Sequence, residues 1–170
     1  VTSNQQPADQ YLWWKHGVIY QIYPRSFQDA DGDGIGDLQG VIDRLPYLKD
    51  LGVTALWLNP WYDNNDRLNT KERYDNQDIT DYHGYGAVDF YAVEEHFGTL
   101  AKLRELVDAA HANGLKLIQD QVANHSGPYH PWVEDPPTPT WWNGTAKQHP
   151  ANSWQTWSFA DPYATRASQD

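Results

Sequence analysis

The stretch Asp29-Ala30-Asp31-Gly32-Asp33-Gly34-Ile35-Gly36-Asp37 sets carboxylates at alternating positions around glycines that permit tight turns. A hard cation that takes about six to eight oxygens asks for that pattern. Aligned as an EF-hand, the run fails where a bidentate Glu should close the loop, because Gly40 stands there, and a strand rather than a helix precedes it. The expectation is a calcium loop of another architecture, with side-chain ligands Asp29, Asp31, Asp33 and Asp37 and the carbonyl of Ile35. The alternative is a solvated acidic turn, in which the like charges repel one another. A second group, Asp120-Gln121-Val122-Ala123-Asn124-His125, places polar side chains after an apolar run, either as a hydrogen-bonded structural pair or as part of a site. Tyr82-His83-Gly84-Tyr85-Gly86 offers aromatic rings and an imidazole on a glycine-flexible loop, suited to stacking and hydroxyl recognition or simply to packing. His125 and His130 lack a third ligand at a recognisable zinc spacing and are set aside as metal ligands.

These groups need elements to hold them. Gly17 to Tyr23 is β-branched and aromatic and stops at Pro24, so it reads as a buried strand. Val41, Leu45, Leu48 and Leu51 recur at helical spacing, with Gly52 placed to end the helix in a left-handed conformation. Pro46 belongs in the first turn of a short second helix running to Leu51. Val53 to Leu58 is a second apolar strand, and a long polar loop is expected after Pro60. Leu100, Leu103, Val107 and Ala110 mark a helix face that Thr99 can cap and Gly114 can end. Leu115 to Val122 supplies a third strand. The alternation of near-continuous apolar strands with helices predicts an α/β fold with parallel pairing. After Ser126 the chain is rich in Pro, Trp, Asn and Thr without periodicity, which predicts a loop-rich excursion.

Composition narrows the partners. Asp and Glu number 23 against 12 Lys and Arg, a net charge of −11 that would repel phosphate backbones, so nucleic acid is not expected. No apolar run approaches the roughly 20 residues that span a bilayer, so no membrane is expected either. The polar opening Thr2 to Gln10 is what a cleaved leader would leave, which points to a secreted or periplasmic protein while a cytoplasmic one stays open. The absence of cysteine excludes disulfides and thiolate chemistry. Nine tryptophans, in a chain that is 14% aromatic, suggest flat ligands such as sugar rings.

Taken in order, Val18 to Phe27 (VIYQIYPRSF), the acidic loop from Asp29 to Gly40, Gly52 to Pro60, His83-Gly84-Tyr85, Phe97-Gly98-Thr99 and Asp120 to His125 resemble the α-amylase family, glycoside hydrolase family 13. The resemblance covers about Trp13 to His125. The acidic loop is similar to that of oligo-1,6-glucosidase-like and trehalose-synthase-like members, and the His83-Gly84-Tyr85 stretch leading to Asp89-Phe90-Tyr91 to that of neopullulanases and cyclomaltodextrinases. Gln121 replaces the family's usual aliphatic residue, and Glu94-Glu95 stands where Asp-Pro is frequent. The resemblance implies the first three strands of a (β/α)8 barrel in residues 13–125, an N-terminal extension in 1–12, and the start of an inserted domain B in 126–170. It implies Tyr85 stacking on the glucose at the cleaved bond, His125 donating to a hydroxyl of that sugar, and His83 lining the same subsite. It further implies a supporting rather than attacking role for Asp120, and Asn124 tying the third strand to the excursion, in many members through a second calcium. Retaining glycosidases use two carboxyl groups about 5 Å apart, and the family places its carboxylates after later strands, none of which is in this sequence. A barrel of this kind takes about 250 residues, so the remainder of the barrel is an expected partner in the same or a second chain. The function implied is retaining hydrolysis of α-glucosidic bonds in starch-derived α-glucans or malto-oligosaccharides, with Ca2+ as cofactor. A trehalose-forming transglycosylase or isomerase, or a non-catalytic carbohydrate-binding relative, are the alternatives.

Overall fold

A short helical turn, α1 (Trp13–His16), leads into β1 (Ile19–Ile22) in the computed structural model, which describes residues 12–74 and 77–142. The expected N-terminal extension therefore lies almost wholly outside the described residues, as does the later part of the expected excursion. Pro24, whose fixed φ suits a first helical turn, opens α2 (Pro24–Phe27). The acidic loop follows. Asp37 then caps α3 (Leu38–Asp43) by accepting the Gly40 N–H, and α4 (Leu45–Asp50) carries Pro46 in its first turn, as the sequence predicts. Gly52, at φ 86°, turns the chain into β2 (Ala55–Leu58).

The segment expected as a long polar loop is built differently. It contains β3 (Tyr62–Asn64), β4 (Asn69–Tyr74), β5 (Gln77–Ile79) and β6 (Ala87–Val93). β3 pairs antiparallel with β6 through an irregular register, Tyr62 opposite Val93 and Asn64 opposite Ala87, while β4 and β5 form a separate pair. The physical reason is the β-branched and aromatic content of β6, with Tyr62 packing edge-on against Phe90 at 5.3 Å between ring centroids. The polar residues between these strands conceal that content.

Helix α5 (Leu100–Ala112) starts where the Thr99 side chain accepts the Lys102 N–H at 3.2 Å and gives way to Gly114 at φ 77°. It returns the chain to β7 (Lys116–Gln119). The three long-range strands form a parallel sheet in the order β1-β2-β7, with Ile22 level with Leu58 and Leu58 level with Gln119. Side chains alternate across this sheet. Ile22, Leu56 and Leu58 belong to the buried core together with Val41, Leu45, Leu48, Leu103 and Leu106 of α3, α4 and α5. The opposite face carries Ile19, Gln21 and Trp57, and it is open, with Ile19 45% and Trp57 37% exposed. The parallel pairing expected from the apolar strands is met, with burial on one face of the sheet within the described residues.

Residues 1–130 and 131–170 form two units. Of the second, residues 131–142 are described: a 3-10 turn, Pro131–Val133, and a Trp132–Trp141 edge-to-face contact at 5.1 Å. Trp142 donates its indole N–H to the Trp132 carbonyl at 2.9 Å.

Candidate functional site

Parallel strands point their C-terminal ends to one side, and the residues leaving those ends meet there. Asp120 follows β7 directly, and its backbone N–H still bonds the Leu58 carbonyl of β2. Its Oδ2 accepts two hydrogen bonds, from the Tyr85 hydroxyl at 2.8 Å and from the Trp57 indole N–H at 3.1 Å. Tyr85 reaches this point because the loop before β6 is pinned at Gly84. That residue sits at φ 87°, and a Cβ there would lie 2.5 Å from the Pro60 carbonyl oxygen, so only glycine fits. Burial, the hydrogen bond to Asp120 and the negative charge of Asp120 together push the Tyr85 phenol up to about 12.

The imidazoles close around the same tyrosine. The Tyr85 N–H donates to His83 Nδ1 at 3.0 Å, and the two rings lie 6.1 Å apart. His125 Nε2 is 3.0 Å from the Tyr85 carbonyl oxygen, which can only accept, so Nε2 carries the proton and Nδ1 faces the Asn124 amide at 3.3 Å. Asp120, Tyr85, His83 and His125, each singled out from the sequence, are therefore brought together. Gln121 takes a hydrogen bond from the Tyr62 hydroxyl at 3.0 Å, and Gln119 donates to that hydroxyl at 2.6 Å. Trp57 was missed. Its signal was the alternation within β2, which puts it on the face opposite Leu56 and Leu58.

In the acidic loop, Asp29 takes the Gly32 N–H at 2.6 Å on Oδ1 and the Gly34 N–H at 2.9 Å on Oδ2. These two bonds hold its carboxyl below the usual carboxylate range. Asp31 and Asp33 accept the N–H groups of Asp33 and Ile35 at 3.1 and 2.7 Å. Carboxylate oxygens of Asp29, Asp31 and Asp33 lie within 4.8 Å of one another, an all-oxygen donor set that fits a hard cation such as calcium. Asp37 is not in that group: it takes the Gly40 N–H at 2.6 Å and the Ala30 N–H at 3.0 Å, closing the loop onto α3.

Residues 21–165 match the family described as Alpha amylase, catalytic domain. The chain is 48% identical to an oligo-1,6-glucosidase of Halalkalibacterium halodurans over 120 residues, 71% of this chain and 19% of that enzyme. It is 41% identical to a trehalose-6-phosphate hydrolase of Bacillus subtilis over 128 residues, 75% of this chain and 20% of that one. Among solved structures, a variant of isomaltulose synthase from Erwinia rhapontici NX5 in complex with sucrose superposes with a TM-score of 0.62 at 37% identity, over 74% of this chain and 20% of that one. Trehalose-6-phosphate hydrolase of Bacillus licheniformis gives 0.60 at 40% identity, over 72% and 20%. The chain thus spans about a fifth of the length of these relatives. Among the described residues no helix is long and apolar enough to cross a membrane.

Proposed function

The chain belongs to the α-amylase family, and on that footing we propose that it supplies the first three barrel strands and part of the sugar site of a glycoside hydrolase acting on α-glucosidic bonds with retention. The observation that carries this reading is the Tyr85–Asp120 hydrogen bond at the C-terminal end of the parallel sheet, with His83 and His125 beside it. A tyrosine ring fixed by its own hydroxyl keeps its face free to stack on a sugar ring at little entropic cost. Asp120 is then a positioning residue, held in turn by Trp57. A sugar hydroxyl entering the site would take the His125 Nε2 proton in place of the Tyr85 carbonyl. The nucleophile and the acid/base carboxyl belong to later strands outside these 170 residues, and the open face bearing Ile19 and Trp57 is where the rest of the barrel would pack. Asp29, Asp31 and Asp33 would hold calcium, which would brace the link between α2 and α3.

Hydrolysis and sugar transfer share such a site and differ in whether water reaches the intermediate. Product analysis of the full-length protein on maltose and isomaltose separates them. Free glucose alone is the expected outcome, whereas trehalose or longer oligosaccharides would replace hydrolysis with transfer.

A further inference from the structure

Tyr85 is held through its backbone as well as through its hydroxyl. The peptide joining Tyr85 to Gly86 is trans, so its carbonyl and its N–H point to opposite edges of one plane. His125 Nε2 holds the carbonyl at 3.0 Å on one edge, and on the other Asn64 Oδ1 accepts the Gly86 N–H at 3.0 Å. The two bonds are unlike. His125 is exposed and its ring can turn to another acceptor, whereas Asn64 and Gly86 are both buried.

Asn64 reaches this N–H from β3, where its pairing opposite Ala87 sets it beside the start of β6. Its amide is fixed on both sides. Nδ2 donates to the Tyr62 carbonyl at 2.8 Å, and a flipped amide would set oxygen against oxygen there and N–H against N–H at Gly86. The Asn64 backbone N–H is tied in turn to Oε2 of the buried Glu94 at 3.1 Å. The chain at Gly86 has little room to shift: a Cβ there would lie 3.0 Å from Asp81 Cγ, and one on Gly127 would fall 2.2 Å from the Gly86 carbonyl oxygen.

We propose that Asn64 is a positioning residue for Tyr85, keeping the Tyr85–Gly86 peptide in place when His125 leaves the Tyr85 carbonyl for a sugar hydroxyl. This rests on the sugar-contacting roles given to Tyr85 and His125 above. With the carbonyl released, the Asn64 bond still fixes the plane of that peptide, while Asp120 and His83 hold the hydroxyl and the Tyr85 N–H. A flattened, oxocarbenium-like transition state gains more from a correctly placed aromatic face than the ground-state sugar does, so loss of Asn64 acts on turnover more than on KM.

The test is a double-mutant cycle on maltose in the full-length protein. Asn64→Ala is expected to lower kcat roughly tenfold with a smaller change in KM, and to lower it less than about twofold further when Tyr85→Ala has already removed the ring. An equal loss in both backgrounds would make Asn64 a purely structural residue and overturn the proposal. Tyr85→Ala turning over at the parent rate would instead remove the sugar-stacking reading, and this inference with it. A crystal structure of the unaltered full-length protein with D-glucose serves where the variants fold poorly. His125 Nε2 should then bond a glucose hydroxyl while Gly86 N stays within about 3.2 Å of Asn64 Oδ1. A Gly86 N–H that has left Asn64, or a His125 still on the Tyr85 carbonyl, with glucose bound beside Tyr85 would overturn the proposal; glucose bound away from Tyr85 and His125 would remove the reading beneath it.

Discussion

Asp120 Oδ2 accepts from both Tyr85 and Trp57, and hydrogen bonds to a charged acceptor contribute about 1.5–3 kcal/mol each. Tyr85→Phe keeps the stacking ring and removes the hydroxyl, so the ring loses its anchor. Turnover of the full-length enzyme is expected to fall roughly tenfold, about 1.4 kcal/mol, with a smaller change in KM. The phenol pKa of about 12 lies above the usual value of 10, so the bond's contribution to stability is complete below about pH 10 and is lost as pH rises through about 12. Titration of tyrosinate absorbance should therefore show a late step in the parent that Tyr85→Phe lacks. An unchanged late step would assign it to another tyrosine and remove the support for this bond. Asp120, Tyr85, His83 and His125 were legible because ordered motifs named them. Trp57 was not, since an apolar strand motif does not say which face its neighbours cover.

Caps and glycines made several elements readable. Thr99 and Gly114 bound α5, Pro46 opens α4, and Gly52 adopts the left-handed conformation its place requires. β3 and β6 escaped notice because their pairing is irregular and long-range. The acidic loop brings the carboxylates of Asp29, Asp31 and Asp33 within 4.8 Å of one another, while Asp37 caps α3, a role its spacing to Gly40 could have suggested. The two roles separate by experiment. Chelator should lower the melting temperature of the parent and leave the Asp31→Asn, Asp33→Asn variant unmoved, while Asp37→Ala should cost about 1 kcal/mol with or without calcium. A parent melting temperature insensitive to chelator would contradict the calcium reading.

At the scale of the molecule, the parallel sheet has helices on one face only among the described residues, and the exposed Ile19 and Trp57 lie on the other. Such a face, with both edges of the β1-β2-β7 sheet unpaired among the described residues, exposes apolar surface and favours association unless further strands cover it. Under the proposed reading, residues 1–170 form a partial site that the remaining strands of a barrel would complete. The most direct test is an assay of maltose and starch hydrolysis by residues 1–170, alone and mixed with a polypeptide supplying the remaining barrel strands. No turnover alone, with activity appearing only in the mixture, is the predicted result. A soluble, monomeric and active 1–170 would contradict both the placement of the catalytic carboxylates outside this segment and the need for the barrel's other strands.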